Sequence, residues 1–197
     1  MKRIIQKLKS NAGLSLAETL LALAILLLGT SIVAAGMPAA VNAYRNAIDA
    51  ANAQVVLSAT VNALRSELST ARDVKQDGDV ITYYSTVTGS RSKLYQNADA
   101  EGCRIMLQEY DDFDDAPDTT GETLDMQPAE RPLVSNEMTK TTKDNSLMTV
   151  AYDDIDLSAD GKTVTVRGLR VERDTKLAEI PEDASLNIRV LSGGAGA

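Results

Sequence analysis

One carboxylate, Glu18, stands at the entrance of a long apolar run. From Thr19 to Met37 nineteen residues carry no charge, while Lys2, Arg3, Lys7 and Lys9 precede them without an acid. At 1.5 Å per residue such a run spans about 28 Å as a helix, close to the hydrocarbon thickness of a bilayer. A charged side chain at the centre of a membrane helix costs about 2.5–3.5 kcal/mol, and less near the interface. Glu18 therefore needs a partner. A cut after Gly13 would supply one, because Leu14 would then carry a free α-amine, a cation below its ordinary pKa of about 8. A carboxylate in the first turn also complements the helix dipole. The chemistry on offer is ion pairing, not bond making.

Other reactive constellations are sparse. The chain has no histidine and one cysteine, Cys103, so an intrachain disulfide and His/Cys zinc sites are excluded. A lone thiol of this kind reads as a small buried hydrophobe. Five aspartates fall between Asp111 and Asp118. Oxygen clusters bind calcium, but this spacing fits no standard loop, and a solvated acidic loop is expected. No nucleophile elbow, phosphate loop or dinucleotide fingerprint appears. Neither an enzymatic activity nor a cofactor or metal is expected. The 197 residues carry a formal net charge of −8, and removal of the first thirteen leaves 16 basic against 28 acidic residues. Such a body repels phosphate backbones, so nucleic acid is not an expected partner.

The elements that must position Glu18 and the body follow from periodicity. Basic residues ahead of the apolar run predict an N-terminus in the cytoplasm and an exported body. Gly36 and Pro38 predict a kink or partial melting. Helical pattern resumes from Ala39 to about Arg72 and carries two stripes. Val41, Tyr44, Ile48, Ala51 and Val55 share one face; Leu57, Val61, Leu64 and Leu68 share a nearly opposite one. The second stripe is expected to pack on the chain's own sheet, and the first to stay open for neighbouring helices.

Residues 73–79 read as a polar turn. Strands are expected at Val80–Val87, around Lys93–Asn97 and at Cys103–Tyr110, followed by a long loop over 111–146. The clearest hairpin runs from Leu147 to Glu172 with Asp160-Gly161 at its tip. That tip pairs Leu157 with Val164, Ile155 with Val166, Tyr152 with Leu169 and Val150 with Val171. Both strands switch phase together where Asp153-Asp154 face Gly168 and Arg167, which predicts a bend or opposed bulges. "SLNIRVL" supplies a last strand, and 192–197 a flexible tail. The fold class is α+β: a long N-terminal helix, membrane-spanning in its first half and amphipathic in its second, packed on a small, largely antiparallel sheet. The segments are 1–13, 14–38, 39–72, 73–191 and 192–197.

"KSNAGLSLAETLLALAIL" resembles the class III signal peptide of type IV pilins and pseudopilins. Gly13, Ser15, Leu16 and Glu18 match the family pattern; Leu14 stands where Phe is usual, and Ala17 where Ile or Val is usual. About thirty residues carry the resemblance. It implies that a prepilin peptidase cuts between Gly13 and Leu14 and methylates Leu14. It further implies that Glu18 pairs with the N-terminal amine of a neighbouring pilin-like subunit during assembly into a pilus or secretion pseudopilus. An inner-membrane platform and an assembly ATPase would act indirectly. The alternative is an exported binding module, either released by ordinary signal peptidase at Val41-Asn42-Ala43 or anchored by the same helix.

Overall fold

The computed structural model describes residues 15–110, 130–142, 144–173, 176–181 and 184–191. One helix, α1 (Leu16–Ser69), is followed by eleven strands among these residues. Two compact units divide at Arg45/Asn46, so the first half of α1 belongs to one unit and its second half to the sheet-bearing other.

The start of α1 has a local cause. The Ser15 hydroxyl accepts the Glu18 backbone N–H at 3.3 Å, and Glu18 Oε2 accepts the Ser15 backbone N–H at 3.0 Å. This reciprocal pair is a capping box, which satisfies two otherwise orphaned donors. In the first unit the helix is exposed from Leu16 to Arg45. It contains an 18-residue window of mean hydropathy 2.4 with none of it buried, and is long and apolar enough to cross a membrane.

Pro38 lies inside unbroken helix, so the melting expected near Gly36–Pro38 does not occur. Proline removes one bond from a helix that has nucleated already, and the alanine-rich flanks favour propagation. The helix stops at Ser69, short of the expected Arg72. There the Thr70 hydroxyl donates to the Ser66 and Glu67 carbonyls. Arg72 then opens a strand.

That strand corrects the turn expected over 73–79. β1 (Arg72–Asp77) pairs with β2 (Val80–Tyr84) around Gly78, whose φ of +59° suits the tight turn. A register shift between Arg72 and Lys75 holds Asp73 at φ +49°, as a bulge allows. β3 (Arg91–Gln96), β4 (Ile105–Tyr110) and β5 (Glu130–Pro132) complete an antiparallel meander in the order β1-β2-β3-β4-β5. β5 falls within the span expected to be loop.

The long hairpin has the expected register. Leu157 faces Val164, Ile155 faces Val166 and Val150 faces Val171. The coincident phase switch is a break between two sheets. β6 (Thr149–Ala151) and β9 (Arg170–Glu172) join β10 (Lys176–Glu179), in the order β10-β9-β6. β7 (Asp154–Leu157) and β8 (Thr163–Arg167) join β11 (Leu186–Arg189), in the order β11-β8-β7. Gly168 makes the break possible. It sits at φ +62°, and a Cβ there would lie 2.1 Å from Asp153 Oδ2 and 2.8 Å from Asp153 Cβ.

Side-chain amides close gaps between the sheets. Gln76 on β1 donates to the Ile155 carbonyl at 2.9 Å and accepts the Leu157 N–H at 2.6 Å, so it pairs with the outer edge of β7 as a strand would. Gln96 on β3 accepts the Tyr152 N–H.

One buried cluster joins the second half of α1 to the sheets. Ala53, Val56, Leu57, Leu64 and Leu68 meet Ile81, Tyr83, Leu94, Ile105 and Leu107, and the cluster continues through Met148, Val150, Ile155, Val164, Leu169 and Val171. Each fully buried aliphatic side chain contributes about 1.5–3 kcal/mol relative to exposure. The fold is thus α+β, with one long N-terminal helix and antiparallel sheets.

Candidate functional site

The entrance of α1 is the first candidate. Glu18 Oε2 is held by the Ser15 N–H, while Oε1 has no hydrogen-bond partner among the described residues. The cap orients the carboxylate without consuming it. Gly13 and Leu14, the expected processing pair, lie outside the described residues, as does the Asp111–Asp118 cluster. Beside its expected role toward the helix dipole, Glu18 closes a cap that was not expected. The signal was present, since Ser-x-x-Glu ahead of an apolar run is the capping-box pattern.

The two stripes differ sharply in environment. In the first unit Val41 and Tyr44 are exposed, Tyr44 at 68%. In the second, Ile48 is half-buried, while Ala51 and Val55 are exposed, Val55 at 60%. On the opposite face Leu64 and Leu68 are fully buried, Leu57 nearly so, and Val61 is partly buried against the same core. A helix that only roofed its own sheet would need a single apolar stripe.

Sequence reasoning missed a buried acid in the second unit. Asp49 is 4% exposed, and its Oδ1 accepts both the backbone N–H and the hydroxyl of Thr142 at 2.9 Å. Arg173 lies 3.5 Å from its other oxygen and reaches Asp144 at 3.0 Å. Asp49 thus ties the turn at 139–147 to α1. No local signal marks it, because its partners Thr142 and Arg173 stand far away in sequence.

Asp144 titrates unusually. Its carboxyl, ordinarily near 3.8, is held down to about 2, first by the Ser146 hydroxyl and amide, then by the Thr141 hydroxyl, with Arg173 adding a smaller pull. A depressed folded pKa stabilises the fold above the ordinary value, and that contribution is lost as pH falls through the folded one. The tie at 141–146 should therefore weaken between pH about 4 and about 2. A carbon-detected titration of the Asp144 carboxyl checks this; a midpoint near the ordinary 3.8 would contradict it.

Two further groups are shifted by their surroundings. Cys103 is buried, its Sγ donates to the Ile105 carbonyl, and burial pushes its thiol pKa up. That suits the expected small hydrophobe rather than a nucleophile. Tyr95 is pushed up to about 12, first by burial and then by its hydroxyl contact with Glu130.

No family model, no curated protein and no solved structure matches the chain.

Proposed function

We propose that the chain is a prepilin-type filament subunit. In this reading a peptidase removes the leader after Gly13, Leu14 is methylated, and the first half of α1 assembles with sister subunits. The observation that carries it is the entrance of α1: an acid at the head of an uncharged, wholly exposed run, capped through one oxygen and open at the other. The open oxygen suits a neighbour's Leu14 amine. Two charges that are each costly in lipid neutralise one another, and a subunit in the wrong register leaves both unpaired. Val41, Tyr44, Ile48, Ala51 and Val55 extend the interface beyond the lipid. The subunit starts as a single-pass membrane protein with its body exported, and ends in a pilus or pseudopilus.

Mass spectrometry of the chain isolated from its native host tests the reading. The expected mature N-terminus is a methylated Leu14. A start at Asn42, Tyr44 or Met1 would overturn it in favour of an ordinary signal peptide or anchor.

A further inference from the structure

The body carries an open groove of about 630 Å³ beside the start of β6, apart from the helix entrance and the stripes. One wall is the loop at 98–102; the other is the turn at 145–147. The parallel bridge between Cys103 and Val150 brings these distant segments together. The loop wall is fixed from behind. The Asn136 amide accepts the Cys103 N–H at 3.1 Å and donates to the Glu101 carbonyl at 3.2 Å. Gly102, at φ +77°, leaves room for that clamp, since a Cβ there would sit 2.6 Å from Asn136 Oδ1.

The charges in this groove are unusual. Arg104 lines it and is partly exposed there, while its Nε is sealed inside the protein, so only the terminal nitrogens of the guanidinium can meet a ligand. Among the described residues Arg104 has no ion pair. A guanidinium stays charged at any working pH and favours an anionic partner at its accessible nitrogens. Lys140, on the rim, is satisfied by both oxygens of Glu137 at 2.6 and 2.7 Å. Asp99 and Glu101 also line the groove, and neither side chain has a partner among the described residues. Among the described residues, one cation without an ion pair thus shares the groove with two carboxylates that have none.

We propose that this groove binds a small zwitterion, with Arg104 taking its carboxylate and Asp99 and Glu101 its ammonium. A guanidinium recognises a carboxylate through paired charge-assisted hydrogen bonds. A phosphate dianion would meet two like charges on the rim. A neutral sugar would leave Arg104 uncompensated. The volume lies within the usual 300–1,000 Å³ of small-ligand sites and admits a free amino acid or a dipeptide. The proposal concerns the body alone and does not depend on filament assembly.

The test uses the full ¹⁵N-labelled chain in detergent micelles, followed at the amides of Gly102, Arg104 and Ser146. L-Alanyl-L-alanine should produce saturating shifts with a dissociation constant at or below about 1 mM. L-Alanine, run in parallel, distinguishes a free amino acid from a peptide as the tighter source. Acetate, methylamine and inorganic phosphate should each bind at least about tenfold more weakly. Arg104→Gln should weaken dialanine by about tenfold or more. The double variant Asp99→Asn with Glu101→Gln alters only exposed or rim groups; it should weaken dialanine and spare acetate. Shifts that never saturate, acetate binding as tight as dialanine, or indifference of that double variant would overturn the proposal.

Discussion

Glu18→Ala should leave leader removal intact and cut filament incorporation by about a hundredfold or more. An unpartnered charge held in a low-dielectric interface costs about 3–5 kcal/mol, and each 1.4 kcal/mol is a factor of ten. In the variant the incoming Leu14 amine finds no acid. The capping box complicates the result, because alanine also removes the bond to the Ser15 N–H. Glu18→Gln separates the two effects, since glutamine serves equally at this capping position but carries no charge. Both variants should be processed, and both should fail to assemble, as read by the ratio of sheared filament to total subunit. If Glu18→Gln assembles normally while Glu18→Ala does not, the carboxylate acts as a cap and the proposed ion pair is wrong.

Leu64→Ala should destabilise the body by about 3 kcal/mol, a large share of the roughly 5–15 kcal/mol that holds a domain together. Leu64 is fully buried among the core residues of the second unit, so truncation leaves a void beneath α1. Val55→Ala, at an exposed position of the same helix, should change stability by no more than about 0.5 kcal/mol. Urea unfolding of the full chain in detergent, followed by tyrosine fluorescence because the chain has no tryptophan, compares them directly. Equal losses would mean that the two faces of α1 are not distinct. Stability alone sinks with Leu64; assembly alone is expected to sink with Val55.

Much of this architecture was legible from the residues, and the reasons for success and failure are physical. The hairpin at 147–172 was readable because its apolar pattern and the Asp160-Gly161 tip agree on one register; three of the four expected apolar pairs are ladder partners, and the fourth, Tyr152 with Leu169, falls at the break between the sheets. Its break was readable because both strands change phase at one level, where Gly168 lies against Asp153. β1 was not read. Its side chains are exposed at every position but Val74, so period-two alternation is absent, and only Asp77-Gly78 before an apolar run announced a hairpin. β5 and β10, three and four residues long, were not read either: each carries charged residues and no turn signal fixes its register. At the entrance of α1, Ser15 and Glu18 were legible as a local motif. Asp49 and the Arg104 groove were not, because each depends on contacts between segments far apart in sequence.

The amide of Gln76 has a consequence for how crowded subunits behave. A bare strand rim offers a ladder of donors and acceptors to any passing chain, and proteins stored at high density must blunt it. On β7 the rungs at Ile155 and Leu157 are already taken by a side chain from the same molecule. Bodies packed shoulder to shoulder therefore find no sticky rim at that border. In the proposed filament this border of β7 would offer a neighbour no ladder to join, and growth would be left to the exposed helix.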